Sequence, residues 1–167
     1  MTLDMDTTRQ SLRVRRFARR LPVVAIAVTL LWPLMVEAHV SITPRSSSAG
    51  ATEKYVVRIP TEGKVATVAA ELDVPEGVII ETLQAPMGWK YEVKRANDRI
   101  VSIVWQADVK PGEFIDVAFV ARNPRSGNRI VWTLRQRFAD GTVTDWTKGP
   151  TGIRPTAVTD LAPLPTR

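Results

Sequence analysis

Residues 129–138 read Arg-Ile-Val-Trp-Thr-Leu-Arg-Gln-Arg-Phe, and this stretch decides the fold class. Apolar and polar side chains alternate along it, so that one face of an extended chain carries Ile130, Trp132, Leu134 and Phe138. Arginine and threonine occupy most of the opposite face. Alternation with period two, enriched in β-branched and aromatic residues, is typical of a half-buried β-strand. We therefore predict a strand here, with its apolar face turned to a core.

The same kind of segment recurs along the chain, separated by turns of proline, glycine, asparagine and aspartate. No stretch shows helical periodicity over ten residues. Predicted strands are Lys54–Ile59, Val65–Val74, Val78–Leu83, Trp89–Lys94, Arg99–Gln106, Glu113–Arg122, Arg129–Phe138 and Thr142–Trp146. About eight short strands in one domain predict an all-β fold, a Greek-key β-sandwich that is immunoglobulin-like or cupredoxin-like in outline.

The first 38 residues have the three parts of a secretory signal peptide. Residues 1–20 contain six arginines, and residues 21–36 are apolar and uncharged but shorter than the roughly 20 residues of a membrane-spanning helix. Val36-Glu37-Ala38 then offers small or modest residues at the −3 and −1 positions of a cleavage site. We predict a cleavable signal peptide over 1–38 and export to the periplasm or the extracellular space. A retained N-terminal anchor is the alternative.

Removal of the signal peptide leaves 129 residues, which suffice for one domain with its own core. We predict a β-sandwich domain over 39–150 and a Pro-rich, extended C-terminal tail over 151–167, with no membrane anchor after cleavage. Lysine plus arginine falls from 23 to 17 and aspartate plus glutamate from 17 to 14, so the net charge drops from +6 to +3. Most support for nucleic-acid binding disappears with the leader.

The chain contains no cysteine and one histidine, His39. The lack of cysteine excludes zinc-finger, iron–sulfur and blue-copper ligation. Ser-His-Asp or Cys-His catalysis would have to use a histidine at the predicted terminus of the mature chain, which is a poor position for it. We therefore predict that the protein is not an enzyme.

Cleavage after Ala38 would make His39 the first residue, with a free α-amine and an imidazole on one residue. Two such nitrogens can chelate a metal ion, and nitrogen ligands suit Cu(II), which also accepts oxygen donors in a tetragonal set. Glu62 is the first candidate for that oxygen, because it follows a predicted strand in a turn shaped by Pro60 and Gly63. The alternative is a solvated turn glutamate, as most surface acids are.

Trp146 lies at the end of the last predicted hairpin. Asp140-Gly141 is a strong signal for a two-residue turn, and that turn would place Trp146 opposite Arg135 on the polar face. A tryptophan at that position is either half-exposed or part of a functional site. A one-residue bulge would instead turn it into the core beside Leu134.

Five motifs follow one another along residues 39–150: Ala38-His39-Val40 with Ser41-Ile42-Thr43-Pro44, the strand Tyr55–Ile59 with Pro60-Thr61-Glu62, Pro86-Met87-Gly88-Trp89, Gly112-Glu113-Phe114, and Gln136–Gly141 followed by Trp146. In this order they resemble the YcnI-like copper-binding domain family. The resemblance implies a β-sandwich that binds one Cu(II) through a single-histidine brace. It implies that His39 binds by amine and imidazole, that Glu62 is a ligand and that Trp146 lies beside the copper. Because an indole N–H is a donor without a lone pair, contact through the ring is the chemically reasonable form.

The leading hypothesis is an exported Cu(II)-binding protein that sequesters or delivers copper. Its partners would be the copper ion and a copper import or resistance membrane protein or a periplasmic copper chaperone. One alternative is an immunoglobulin-like adhesion or assembly module without metal. Another is a brace-type copper oxidase, which would need a second histidine that this chain lacks. Met87 is the only sulfur left after cleavage, so Cu(II) is expected rather than Cu(I), which prefers sulfur.

Overall fold

The computed structural model describes residues 39–85, 88–146 and 157–164. Within them the chain forms eleven strands: β1 (Ser41–Thr43), β2 (Ser46–Ser48), β3 (Thr52–Pro60), β4 (Thr67–Asp73), β5 (Ile79–Leu83), β6 (Lys90–Ala96), β7 (Arg99–Val109), β8 (Phe114–Arg122), β9 (Arg129–Phe138), β10 (Val143–Asp145) and β11 (Ala157–Ala162). None of the described residues belongs to a helix long and apolar enough to cross a membrane. The prediction of an all-β fold is confirmed. The predicted signal peptide and its cleavage site lie outside the described residues.

The described strands form two sheets. One has the order β1-β3-β8-β5, and the other has the order β2-β11-β9-β4-β7-β6, with β10 paired to β9. Most neighbours within a sheet are distant in sequence, so the chain passes repeatedly from one sheet to the other. This is the arrangement of a β-sandwich with Greek-key connections.

The core lies between the two sheets. β3 contributes Tyr55, Val57 and Ile59, all buried, which are the residues that its alternation places on one face. β9 contributes its even-numbered positions, so that the ring of Trp132 lies 4.9 Å from the ring of Tyr55 across the sandwich. Alternate burial along residues 129–138 confirms the face predicted for that strand, although Phe138 is only half-buried.

All eight predicted strands are present, and their ends shift by up to three residues. β1, β2 and β11 were not predicted. β1 and β2 have three residues each, too few to display an alternation. Their extended form depends on partners far away in sequence: β1 pairs with β3, and β2 pairs with β11.

The predicted tail over 151–167 is wrong for residues 157–162, which form β11 inside the second sheet. Thr159 and Leu161 are buried, and the strand pairs antiparallel with β9 and parallel with β2. β11 buries only two inward side chains, and its backbone hydrogen bonds to two neighbouring strands also hold it in the sheet. The domain therefore extends past the predicted boundary at residue 150.

The β9–β10 hairpin also differs from its prediction. Its loop has three residues, 139–141, since Phe138 donates its N–H to the carbonyl of Thr142 and accepts one from Gly141. Gly141 has a φ of +84°, as expected for the left-handed third residue of such a loop. The register is therefore displaced by one residue, and Trp146 lies opposite Leu134, to which its backbone N–H donates. Trp146 is buried in the core, not on the polar face.

Candidate metal centre

His39 lies at the start of the domain, next to the end of β3. Val40 and Ile42 are buried and fix the chain that follows it. β1 pairs antiparallel with β3, with Ser41 opposite Arg58. Carried two residues further, this register brings His39 level with Pro60. The predicted first residue of the mature protein thus lies two residues before a strand that pairs with β3, the strand that leads to Glu62.

The ring of Trp146 contacts the ring of His39. Their centroids are 5.9 Å apart and their planes make an angle of 66°, an edge-to-face contact. Trp146 reaches this place because the three-residue hairpin loop turns it inward. The structure therefore brings together two of the three residues that the sequence analysis singles out.

Glu62 follows a tightly held main chain. Thr61 is buried, its N–H donates to the carbonyl of Glu113, and its own carbonyl accepts from Gly112. Its hydroxyl shares a 2.8 Å hydrogen bond with the hydroxyl of Thr67. The Glu62 side chain is partly buried, and its Oε1 atom is shielded from solvent. A glutamate held in this way differs from a solvated turn residue.

Gln136 connects the segment that leads to Glu62 with Trp146 through hydrogen bonds. It was not among the site residues predicted from the sequence. It is fully buried on the inward face of β9. Its Oε1 accepts a 3.0 Å hydrogen bond from Nε1 of Trp146. Its Nε2 donates to the carbonyl of Pro60 at 2.8 Å and to the hydroxyl of Thr67 at 2.6 Å. The available signal was a polar residue at an inward position of an otherwise apolar face.

The donor set at this end of the sandwich is small. Among the described residues, no three histidine, cysteine, aspartate or glutamate side chains are grouped closely enough to hold a metal ion. A site here would combine one imidazole, the α-amine of the same residue and one carboxylate. In the uncleaved chain the nitrogen of His39 is a peptide amide, and only cleavage after Ala38 turns it into an amine.

A cluster of charged side chains lies elsewhere, on the outer face of the second sheet. Glu71 accepts hydrogen bonds from Lys94 at 2.8 Å and from Ser102 at 3.1 Å, and Nε of Arg135 lies 3.5 Å from its second oxygen. Lys94 first, then Ser102 and Arg135, lower the pKa of Glu71 from 4.5 to about 2. Because Arg135 also donates to Asp73 at 2.7 Å, the cluster ties β4, β6, β7 and β9 together. It is a structural network.

The described domain matches known proteins over most of its length. A family described as a domain of unknown function, DUF1775, matches residues 39–164, beginning at the predicted first residue of the mature chain. The copper-binding protein CutI of Bacillus subtilis (strain 168) is 28% identical over 151 residues, which cover 89% of this chain and 74% of CutI. A crystal structure from Nocardia farcinica with an immunoglobulin-like fold has a TM-score of 0.64 at 27% identity, covering 74% of this chain and 98% of that one.

Proposed function

Because the chain belongs to the YcnI-like family, whose domain is DUF1775, we propose that it is a copper-binding protein whose ion is held by His39 once residues 1–38 are removed. The observation that carries the proposal is the contact between the rings of His39 and Trp146. The proposal is also supported by Gln136, which hydrogen-bonds both to Trp146 and to the carbonyl of Pro60, two residues before Glu62.

The proposed ligands are the α-amine and imidazole of His39 and the carboxylate of Glu62. Two nitrogens and an oxygen suit Cu(II). The Trp146 ring lies beside the ion and contributes through its π-face, because its N–H is already donated to Gln136. Glu62 adds a negative charge that partly neutralises the cation.

The proposed oxidation state follows from the same donors. Cu(I) prefers sulfur ligands, and the mature chain has no cysteine and one methionine, Met87. The site would therefore hold Cu(II) and lose affinity when the ion is reduced. This property suits a protein that sequesters copper or passes it on.

The proposed role is copper homeostasis outside the cytoplasm, in the periplasm or the extracellular space. The protein would hand its ion to, or receive it from, a copper import or resistance membrane protein or a periplasmic copper chaperone. A redox enzyme of the brace type would need a second histidine to complete three nitrogens, and the chain contains only His39.

A comparison of two N-termini tests the proposal. The domain starting at His39 is expected to bind one Cu(II), and the same domain with one glycine before His39 is expected to bind much more weakly. The added residue keeps the imidazole and destroys only the amine–imidazole chelate. Competition with a chelator of known affinity measures both. Equal affinity of the two proteins would overturn the histidine brace, and no binding by either would leave an immunoglobulin-like module without metal.

A further inference from the structure

Gln136 is the polar residue that interrupts the inward face of β9. Its neighbours on that face include Trp132 and Leu134, both buried in the core, and it is itself inaccessible to solvent. Burial of an amide is unfavourable unless its hydrogen-bonding atoms have partners. Three partners are present here: Trp146 follows 10 residues later on the same hairpin, whereas Pro60 and Thr67 lie 76 and 69 residues earlier in the chain.

The partners determine the orientation of the amide. The indole nitrogen of Trp146 only donates and must meet the oxygen of the amide, whereas the carbonyl of Pro60 only accepts and must meet its nitrogen. A flipped amide would place two donors together and two acceptors together. The hydroxyl of Thr67 accepts the second N–H, which completes the set.

We infer that Gln136 is a positioning residue of the copper site, holding the ring of Trp146 against His39 and fixing the Pro60–Glu62 segment at a set distance from that ring. The inference rests on the proposed function. The amide of this one side chain is hydrogen-bonded both to the segment that leads to Glu62 and to Trp146. The sandwich core around it allows little displacement, because protein interiors are close-packed.

The hydrogen bond to Gln136 also defines which part of the indole is left for the metal. Its N–H is donated to Gln136, and its ring meets the ring of His39 with the two planes at 66°. Without the acceptor oxygen, the buried N–H would need another partner, and the ring would turn to find one. Gln136 therefore controls both the place and the orientation of the indole.

Gln136→Met tests the inference because methionine has similar length and no polar end. In the domain starting at His39, we expect Cu(II) affinity to fall by about 10- to 100-fold, as it does when residues that orient metal ligands are replaced. We also expect weaker quenching of Trp146 fluorescence at saturating copper and an altered Cu(II) electron paramagnetic resonance spectrum. These two readouts would not change if the residue served stability alone.

Tyr55→Phe is the matched control. It removes a 2.6 Å buried hydrogen bond from the Tyr55 hydroxyl to Asn123, at the opposite end of β3 from Glu62. The variant should melt at a lower temperature but keep the copper affinity, quenching and spectrum of the unchanged domain. An equal loss of affinity in Tyr55→Phe would overturn the inference, because general destabilisation would then explain both variants.

The remaining outcomes separate this inference from the function on which it rests. Native binding and spectra in a folded Gln136→Met would overturn the inference and leave the copper function standing. If Gln136→Met does not fold, Thr67→Val decides, with Thr61→Val as its control: both variants lose the hydrogen bond between the two threonine hydroxyls, and only Thr67→Val removes an acceptor of the amide. Reduced affinity with an altered spectrum supports the inference, and unchanged binding overturns it. Failure of the unchanged domain to bind copper would overturn the proposed function and the inference together.

Discussion

The imidazole of His39 and the indole of Trp146 meet edge to face, with their ring centroids 5.9 Å apart. One residue precedes the first strand of the sandwich, and the other follows the β9–β10 hairpin. Because the indole is fluorescent and fixed by Gln136, it is a built-in reporter of what happens at His39.

Trp146→Phe should remove most of the Cu(II)-dependent quenching, since copper quenches efficiently only at close range. Because Trp146 is buried, the substitution should also lower the stability of the domain. Phenylalanine leaves the Oε1 atom of Gln136 without the indole donor, and a buried acceptor left unsatisfied costs about 1–3 kcal/mol. Copper titration of the domain starting at His39, followed by fluorescence and thermal melting, measures both effects.

Trp132→Phe is the control for that experiment. The N–H of Trp132 donates to the hydroxyl of Thr159 in the core, so the variant also loses a buried indole hydrogen bond. It should lose stability and keep the quenching. Quenching that survives in Trp146→Phe and disappears in Trp132→Phe would place the copper elsewhere.

The local sequence pattern predicts those strands of this fold in which every second residue is buried. Residues 129–138 and Tyr55–Ile59 show the period-two alternation, and their inward faces are as expected. β11 was missed because its extended form comes from pairing with β2 and β9, which no local pattern encodes. Burial of Trp146 beside Leu134 is the alternative that the sequence left open, and local pattern could not choose it for a related reason. Whether the loop around Gly141 has two or three residues decides the side of the sheet to which every following side chain points.

The candidate site was only partly predictable. His39 follows from the leader sequence and the chemistry of an N-terminal histidine, and its position beside Trp146 required the three-dimensional structure. Glu62 was a candidate from its turn after a predicted strand and Trp146 from the predicted hairpin, and the resemblance to a family supplied their roles at the copper. Gln136 interrupts the apolar face of its strand, but this signal does not say what the residue does, because its role depends on three partners that only the structure shows.

Glu71→Gln should destabilise the domain at neutral pH by about 1 kcal/mol, because an ion-pair network with exposed partners is partly screened by solvent. The pKa of Glu71 falls from 4.5 to about 2 on folding, chiefly through Lys94, so its contribution is present above pH 4.5 and is lost as the pH falls toward 2. Urea unfolding at several pH values checks this. A stability difference that persists undiminished at pH 2 would contradict the role of the charge.

The exported protein should begin at His39. The Val36-Glu37-Ala38 sequence offers the cleavage site, and only this start gives His39 a free amine beside its imidazole. Intact-mass measurement of protein recovered from the export compartment decides the position. A mature chain that begins at Ala38 or Ser41 would rule out the chelate, because the two nitrogens would no longer belong to residue one.

Glu62→Gln should weaken Cu(II) binding by roughly a factor of ten, equivalent to about 1.4 kcal/mol, because it keeps the size of the side chain and removes the charge that neutralises the ion. Folding should change little, since the turn is held by the main chain of Thr61 and by Gln136. Glu76→Gln is the matched control, because Glu76 is an exposed glutamate in the turn Pro75-Glu76-Gly77. Chelator competition measures the copper affinity of both variants, and thermal melting measures their stability. Equal affinities for the two would assign the oxygen ligand to another carboxylate.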